Sequence, residues 1–272
     1  KAKDVEAVII STSPDVFVPI VLAAVENGKH ALVEKPGARR SEELCMVMEK
    51  SRARGVCVKV GYNHRYHPAL LKAHQIASSG EIGPIMFVRG RYGHGGRIGY
   101  DREWRANPAL SGGGELMDQG VHLIDLSRWF LGDFDEVSGF FPTYFWDVKV
   151  EDNAFLLLKT PKGQAAWLHA SWTEWRNLFS FEIYGKKGKL HIEGLGGSYG
   201  PEKLSYYKMS DQMGIPETAV WSYPDRDNSW RLEFDAFAQS IENRECVKDD
   251  LRDAVEVLRI MDRAYAGRFA SM

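Results

Sequence analysis

The amino-acid sequence predicts an α/β domain followed by an α+β domain. Over roughly the first sixty residues, short apolar strands alternate with helices, which is typical of a parallel sheet covered by helices. Beyond Gly132 several strands follow one another with turn signals between them, which indicates antiparallel pairing. Two helices, at residues 230–243 and 251–266, end the chain. We place the first domain at residues 1–64 and the second at residues 65–272.

Length and composition restrict the function before any motif is considered. The chain has 272 residues, of which 44% are hydrophobic, enough for a buried core. The formal net charge is −2, and no basic stripe suggests nucleic acid. The apolar runs are too short to span a bilayer. Three scattered cysteines argue against a disulfide framework and favour a reducing compartment. We therefore expect a soluble, cytoplasmic protein with no membrane partner.

The first domain opens on a buried-strand pattern at residues 8–11. Pro14 starts a helix that stops at Gly28, with proline early and glycine late, as helix ends prefer. The alternation continues as a strand, a helix and a strand, at residues 30–33, 41–55 and 56–60. This order predicts parallel strands with helices on both faces, and therefore half of a doubly wound sheet.

The second domain is richer in strands. A helix at residues 68–78 and a strand at 85–91 precede a loop rich in glycine and arginine. A glycine run at 112–114 leads into a strong helix at 115–131. The strands predicted beyond this helix lie at residues 152–159, 164–172, 179–184, 189–192 and 204–208.

The predicted strand at residues 164–172 is apolar on both faces. One face carries Trp167, and the other carries Leu168 and Trp172. A sheet with one solvated face would alternate more cleanly between apolar and polar side chains. We expect helices to cover one face and a partner subunit to cover the other, in a homodimer or homotetramer. Loops are the alternative cover.

The segment Glu34-Lys35-Pro36 directly follows a predicted parallel strand. In open α/β sheets the carboxyl ends of the strands form the edge at which ligands bind. A lysine at this edge can donate a hydrogen bond to a substrate hydroxyl, and burial or a nearby positive group can lower its pKa towards neutrality. The alternative is a solvated surface lysine in a turn.

A second candidate segment is the glycine-led helix with Asp118 and His122. The glycines permit close approach of a ligand to the backbone. Asp118 and His122 are four residues apart, so they are expected on one helix face. A carboxylate beside an imidazole can orient the ring and hold its charge, as a proton relay requires. The alternatives are an ordinary surface pair and a histidine satisfied within the core.

The order and spacing of these motifs resemble a known family. The run from Val8 to Asp133 is similar to the glucose–fructose oxidoreductase / inositol dehydrogenase / MocA-type (Gfo/Idh/MocA) oxidoreductases. The resemblance is carried by Ile10-Ser11-Thr12-Ser13-Pro14, Glu34-Lys35-Pro36, Gly61-Tyr62-Asn63-His64-Arg65-Tyr66-His67-Pro68, Trp104-Arg105 and the glycine-led helix with Asp118, His122 and Asp125.

This resemblance implies a fold and an activity. The fold is a partial, doubly wound Rossmann domain followed by a substrate domain with a large, mostly antiparallel open sheet and helices on one face. The activity is hydride transfer between a nicotinamide cofactor, NAD or NADP, and a secondary hydroxyl of a sugar, a cyclitol or a nucleotide-linked sugar.

The resemblance also implies roles for individual residues. The catalytic lysine, aspartate and histidine of the family match Lys35, Asp118 and His122. The implied cofactor-binding residues are Ser11, Thr12, Ser13, Pro14, Glu34, Lys35 and Asn63. The implied substrate-side residues, with a structural role as the alternative, are Arg65, Trp104 and Arg105. Arg91 and His94 are weaker candidates for the same cleft.

Two features depart from the family pattern. No Gly-x-Gly-x-x-Gly sequence follows a strand, although that loop binds the pyrophosphate and a residue beyond it selects between the two cofactors. In the family both would lie ahead of Lys1, so we expect the first βαβ unit of the Rossmann domain to be absent from this sequence. Phe17 stands where a histidine is common in relatives.

The mechanism expected from these residues is reversible oxidation of a ring hydroxyl. His122 or Lys35 takes the hydroxyl proton, and Asp118 orients His122. One alternative is a non-catalytic binding or sensor protein of the same fold. Another is a metal hydrolase that uses Asp118, His122 and His94. The sequence has no second close pair of metal ligands, so we expect no metal.

Overall fold

A computed structural model describes residues 2–243, 245 and 248–267 as two sheets with helices packed on them. The smaller sheet is parallel and has the strand order β1-β2-β3. Its strands are β1 (Ala7–Ile10), β2 (His30–Glu34) and β3 (Val58–Gly61). The helices between them are a 3₁₀ turn (Pro14–Val16), α1 (Phe17–Glu26) and α2 (Ser41–Arg54).

The larger sheet has eight strands in the order β11-β10-β9-β8-β4-β7-β6-β5. Its strands are β4 (Ile85–Gly93), β5 (Glu136–Phe140), β6 (Asn153–Lys159), β7 (Ala165–Ser171), β8 (Leu178–Gly185), β9 (Gly188–Glu193), β10 (Glu202–Lys208) and β11 (Glu217–Tyr223). Among these strands β4 and β7 alone pair in parallel, and the other neighbours are antiparallel.

The remaining helices lie around this sheet and between the two sheets. The α-helices are α3 (Pro68–Ser78), a single turn α4 (Pro108–Ser111), α5 (Val121–Leu131), α6 (Ser229–Glu242) and α7 (Lys248–Gly267). A π-helical segment (Leu116–Gly120) leads into α5. The 3₁₀ turns are Asn63–Tyr66, Tyr100–Arg102, Trp104–Ala106 and Gly197–Tyr199.

The hydrophobic pattern of each strand explains its place in the fold. Val33 in β2 and Val60 in β3 are buried because helices cover the small parallel sheet: α1 packs on β2, and α6 and α7 pack on β2 and β3. In the large sheet, Leu168 of β7 faces the core formed with α5, and its neighbour Trp167 faces outward and is 45% exposed. The main core therefore lies between the large sheet and α3, α5 and α7.

The predicted fold class is confirmed: a parallel doubly wound segment precedes a large, mostly antiparallel sheet with helices on one face. Two strands, β5 and β11, were not expected. They form the two edges of the large sheet, where fewer apolar residues are required because an edge strand has one neighbour rather than two. The helix expected at residues 115–131 begins as the π-helical segment rather than as regular α-helix.

The cysteines differ from expectation. Cys57 is disulfide-bonded, whereas Cys45 has a free thiol. The bond at Cys57 was not anticipated from the sequence, which argued against a disulfide framework. Within the described parts of the chain, no helix combines the length and apolar character that crossing a bilayer requires.

Arg65 connects the 3₁₀ turn after β3 with α5 and α7. It lies in the 3₁₀ turn after β3, and its Nε and Nη2 donate to the two carboxylate oxygens of Asp125 in α5, at 2.9 and 2.6 Å. Its Nη1 donates to Asp253 of α7 at 2.9 Å. Asp125 is fully buried, so its negative charge depends on the Arg65 guanidinium for compensation.

Replacing Arg65 tests this structural role. Arg65→Met should lower the free energy of unfolding by about 3–5 kcal/mol, because it leaves the buried Asp125 carboxylate without its bidentate partner. The double variant Arg65→Met/Asp125→Leu should recover much of this loss. Lys50→Met, which breaks the exposed pair with Glu26, is the matched control and should have little effect. Equal stability of all variants in urea denaturation would refute the assignment.

Candidate active site

A first cavity of about 320 Å³ lies at the carboxyl end of the small parallel sheet. Its walls come from the turn after β1, the turn after β2 and the glycine run before the π-helical segment. The residues that matter most for its chemistry are Ser11, Thr12, Glu34, Lys35, Trp104 and Asp118. The edge that parallel topology predicts for ligand binding therefore does form a cavity.

A second cavity of about 510 Å³ lies on the other side of Lys35. Its walls are formed by the end of β4 and the loop beyond it, by the start of α5, and by Asn177, Ser198 and Tyr199. Its polar and aromatic lining includes His94, Arg97, Asp118, His122, Tyr199 and Trp230. Glu34, Lys35, Arg105 and Asp118 line both cavities, so these four side chains form the wall that the two cavities share.

Lys35 and Asp118 make the central contact of this shared wall. Lys35 Nζ donates to Asp118 Oδ1 at 2.7 Å and also to the Asp118 backbone carbonyl. Arg105 Nε donates to the other carboxylate oxygen, Oδ2, at 3.1 Å. Burial by itself would raise the pKa of Asp118, but the charges of Lys35 and Arg105 outweigh it and lower that pKa below its usual range. Asp118 is therefore a carboxylate at neutral pH.

The glycine run before Asp118 makes room for the protein's own chain. A Cβ on Gly113 would lie 2.1 Å from the Tyr265 hydroxyl, and one on Gly114 would lie 2.1 Å from the Glu151 carbonyl oxygen. Glu151 Oε1 accepts hydrogen bonds from the backbone N–H groups of Gly114 and Leu116, at 3.0 and 3.2 Å. The Glu151 carboxylate thus caps this helical segment. We expected a ligand to approach the backbone of these glycines closely, but Glu151 and Tyr265 of the protein itself make that approach.

His122 is not oriented by Asp118. Both carboxylate oxygens of Asp118 bond Lys35 and Arg105 instead, and no hydrogen bond joins Asp118 to His122 among the described residues. The His122 Nδ1 is buried without a partner in the same part of the chain, which leaves Nε2 as the ring nitrogen towards the second cavity. Asp118 and His122 both line the second cavity, but the predicted carboxylate–imidazole pair does not form.

Aromatic packing holds the His122 ring instead. His64 stacks on it with ring centroids 3.8 Å apart and an interplanar angle of 21°, and Tyr62 and Tyr92 contact it edge-on. Burial, with a further contribution from Lys35, lowers the pKa of His122 well below its ordinary value. Burial likewise lowers the pKa of His64. Both rings are therefore neutral at neutral pH.

The residues implied for the cofactor divide between the two cavities. Ser11, Thr12 and Pro14 line the first cavity, and Glu34 and Lys35 line both. Ser13 is not among the lining residues. Asn63 lies on the second cavity, where its Nδ2 donates to Ser229 Oγ at 2.8 Å.

The residues implied for the substrate also divide. Arg105 lines both cavities and stacks over the Trp104 indole, with the guanidinium carbon 4.5 Å from the ring centroid. Arg65 lies on neither of the two cavities, because Asp125 and Asp253 hold its guanidinium elsewhere. The expected contact between Arg65 and substrate is therefore not supported, and the structural role, which was the alternative, is.

The two weaker candidates, His94 and Arg91, also lie apart. His94 lines the second cavity. Arg91 is exposed on β4, where it pairs in register with His169 of β7. Its charge lowers the pKa of His169, after burial, so Arg91 acts on the outer face of the sheet and not at the cleft.

One cluster has the residue types of a metal site. Ligand atoms of His94, Glu115 and Asp118 lie within 4.8 Å of one another. Lys35 and Arg105 already bond both carboxylate oxygens of Asp118, and their positive charges oppose a cation. Burial, together with the Asp118 charge, raises the pKa of Glu115 well above its ordinary value, which disfavours a second carboxylate charge at this position. The electrostatics of the cluster therefore disfavour a metal ion.

Several residues that line the second cavity were not among the site residues expected from the sequence. Tyr92, Tyr199 and Gln119 form one wall, with Gln119 Nε2 donating to the Tyr199 hydroxyl at 2.9 Å. Trp230 stands at the start of α6 and lines the same cavity. Tyr92, Tyr199 and Trp230 come from distant parts of the chain and belong to no local motif, whereas Gln119 lies in the glycine-led helix beside Asp118. The position of Tyr92 at the end of a strand is the one signal that could have indicated it.

A parallel sheet joined to a large, mostly antiparallel sheet, with paired cavities where they meet, is the architecture of a Rossmann-type domain followed by a substrate domain. The chain belongs to the Gfo/Idh/MocA oxidoreductase family. Residues 1–62 match the family model described as an oxidoreductase family with an NAD-binding Rossmann fold. Residues 70–191 match the model of the Gfo/Idh/MocA C-terminal domain.

Curated relatives are sugar and inositol dehydrogenases. The chain is 26% identical over 214 residues to a levoglucosan dehydrogenase of Pseudarthrobacter phenanthrenivorans, covering 69% of this chain and 55% of that protein. It is 30% identical over 200 residues to a scyllo-inositol 2-dehydrogenase (NAD⁺) of Bacillus subtilis, again covering 69% and 55%. A D-xylose 1-dehydrogenase (NADP⁺) of Haloferax volcanii is 26% identical over 96% of this chain and 80% of its own length. The match thus spans little more than half the length of the first and second of these relatives.

Solved structures share the fold. A levoglucosan dehydrogenase in complex with NADH and levoglucosan superimposes with a TM-score of 0.88 at 24% identity, covering 97% of this chain and 78% of that one. An aldose–aldose oxidoreductase from Caulobacter crescentus, complexed with glycerol, gives 0.86 at 24% identity, covering 99% and 79%.

The buried, neutral His122 predicts a pH dependence of stability. The unfolded chain takes up a proton at the ordinary histidine pKa of 6.5, whereas folded His122 resists protonation until lower pH. Lowering the pH through 6.5 therefore favours unfolding, by up to about 1.4 kcal/mol per pH unit for this group. Chemical denaturation between pH 8 and pH 5 should show a shallower decline for His122→Asn than for the unchanged protein. Parallel declines would contradict the assignment.

Proposed function

We propose that the chain carries the catalytic centre of an NAD- or NADP-dependent dehydrogenase that acts on a secondary hydroxyl of a sugar, a cyclitol or a nucleotide-linked sugar. The observation that carries the proposal is the Lys35–Asp118 pair on the wall shared by two cavities. Such a wall lets a cofactor and a substrate approach the same lysine from opposite sides. Relatives named as levoglucosan, xylose and inositol dehydrogenases support this substrate class.

The first cavity has the features that a nicotinamide cofactor requires. It lies at the carboxyl ends of β1 and β2, and the hydroxyl groups of Ser11 and Thr12 line it beside the apolar surface of Pro14 and Phe17. Residues 1–64 would thus form the cofactor side, and residues 65–272 the substrate side. When bound, the cofactor supplies the hydride acceptor or donor. The need to recycle this cofactor is our reason to propose a cytoplasmic location.

Lys35 is assigned as the donor to the reacting oxygen. Its Nζ already donates two hydrogen bonds to Asp118, and the same group can donate to a substrate oxygen in the adjoining cavity. Asp118 positions this ammonium group through its carboxylate and its backbone carbonyl together. A positive donor beside the oxygen stabilises the alkoxide that develops as the hydroxyl is oxidised.

His122 is assigned as the group that takes the hydroxyl proton. Its lowered pKa keeps the imidazole neutral, so the ring is ready to accept a proton, and Nε2 is the nitrogen towards the second cavity. Of the two bases that the sequence left open, the geometry favours His122, because Lys35 is already paired with a carboxylate. Burial raises the pKa of Glu34 on the same wall.

Loss of either group should reduce turnover. Lys35→Met and His122→Asn should each lower kcat/KM by roughly 10²–10⁴-fold, measured by the absorbance of the reduced nicotinamide with a panel of sugars and cyclitols. Lys159→Met, on the large sheet away from both cavities, is the control and should retain full activity. Near-full turnover by both variants would end this assignment, and binding without turnover by the unchanged protein would favour the non-catalytic alternative.

We also propose that the chain forms a homodimer or homotetramer through the outer face of the large sheet. Helices cover the inner face, whereas Phe140, Leu157 and Trp167 on β5, β6 and β7 are 60%, 52% and 45% exposed. Neighbouring strands bring these apolar side chains onto one surface. A patch of this kind in a stable protein is typical of an interface between subunits.

Trp167→Glu tests this interface. Light scattering at micromolar concentration should show an oligomer for the unchanged protein and a shift to monomer for Trp167→Glu, because the new charge would be buried without a partner. Ile98→Glu, in the exposed loop after β4, should leave the mass unchanged. A monomeric unchanged protein would contradict the proposal and leave loops or solvent as the cover of this face.

A further inference from the structure

Trp230 is a large apolar side chain that is exposed to solvent at the second cavity. It lies in the first turn of α6, lines the second cavity, and is 58% exposed. Its indole is therefore not part of the core. An exposed indole in contact with a polar cavity is suited to covering the apolar part of a ligand.

The structure fixes the backbone that carries this indole. Ser229, the preceding residue, is fully buried, and its Oγ accepts a hydrogen bond from Asn63 Nδ2 at 2.8 Å. The Ser229 backbone N–H donates to Asp227 Oδ1 at 2.8 Å. The start of α6 is thus anchored to the turn after β3, beside Lys35. This anchoring holds Trp230 at the cavity without help from a ligand.

Polar side chains form part of the remaining lining of the second cavity. Arg97, Asn177 and Ser198 line it, and Asn177 Nδ2 donates to Ser198 Oγ at 2.8 Å. Hydroxyl and guanidinium groups can bond hydroxyls at the edge of a ligand, while an indole face can cover only C–H groups. A ligand that bonds these polar groups and also packs on the indole needs a rigid apolar face with hydroxyls around its edge. A six-membered sugar or cyclitol ring in a chair form has this shape, and an open-chain polyol does not.

We propose that Trp230 is a specificity-determining residue that stacks on one face of a sugar or cyclitol ring in the second cavity, so that the site selects ring-shaped polyols over open-chain ones. This inference rests on the proposed function for the identity of the reacting site. It goes further in naming the shape of the substrate and the side chain that selects it.

A second exposed tryptophan provides the matched control. Trp175 is 65% exposed and lines neither of the two cavities. Its indole packs edge-on against Phe145, with ring centroids 4.7 Å apart. Trp175→Ala therefore removes an indole of similar exposure from the same domain without changing the wall of the second cavity.

The test compares Trp230→Ala, Trp230→Phe and Trp175→Ala in the full chain. The probes are scyllo-inositol, D-xylose and levoglucosan as ring compounds, and xylitol and D-sorbitol as open-chain compounds. For the ring compound on which the unchanged protein is most active, Trp230→Ala should raise KM about tenfold with little change in kcat. Trp230→Phe should restore much of the affinity, and Trp175→Ala should match the unchanged protein. The open-chain compounds should bind weakly to all four proteins.

Calorimetric binding of the same compounds separates this inference from the proposed function. Turnover by the unchanged protein, with an unaltered KM in Trp230→Ala, overturns the inference and leaves the function standing. Binding without turnover, weakened in Trp230→Ala, supports the inference and overturns the function. An equal effect of Trp175→Ala, or equal affinity for ring and open-chain compounds, also overturns the inference. Failure of every ring compound to bind contradicts both.

Discussion

The ion pair between Lys35 and Asp118 is the contact on which the rest of the site depends. Lys35 follows the second strand of the small sheet, and Asp118 lies in the π-helical segment that leads into α5 against the large sheet. The 2.7 Å contact therefore joins the two halves of the molecule where their cavities meet. Because the Asp118 carboxylate is largely buried, displacement of either half would leave it without its compensating charges.

Around this pair, charged and neutral groups occupy separate places. Lys35 and Arg105 each donate a hydrogen bond to the Asp118 carboxylate on the wall that the two cavities share. Burial lowers the pKa of His122 well below its ordinary value and raises the pKa of Glu115. This arrangement leaves His122, an uncharged base, on the lining of the second cavity. Pre-arranged charges of this kind need no reorganisation when an alkoxide develops beside them.

The sequence predicts the parts of this protein that are local and periodic. The first three strands, the helix after the glycine run and the importance of Lys35 follow from apolar patterns and from position at a strand end. What it misses depends on contacts between distant segments. Asp118 and His122 have helical spacing, but Arg105 takes the carboxylate oxygen that the imidazole was expected to share. The Arg65 guanidinium could bind a substrate, and only the fold shows that it is bonded to Asp125 instead.

The parallel pairing of β4 with β7 has a consequence for how the chain reaches this structure. Phe87 pairs with Ala165, and the intervening chain contains Asp118, His122 and two of the outer strands. The centre of the large sheet therefore forms only when a long, non-local loop closes, which is an entropically costly and slow step. Residues of the reaction centre lie within that loop. Closure of the sheet therefore fixes both ends of the segment that carries Asp118 and His122, whereas Lys35 lies outside that segment.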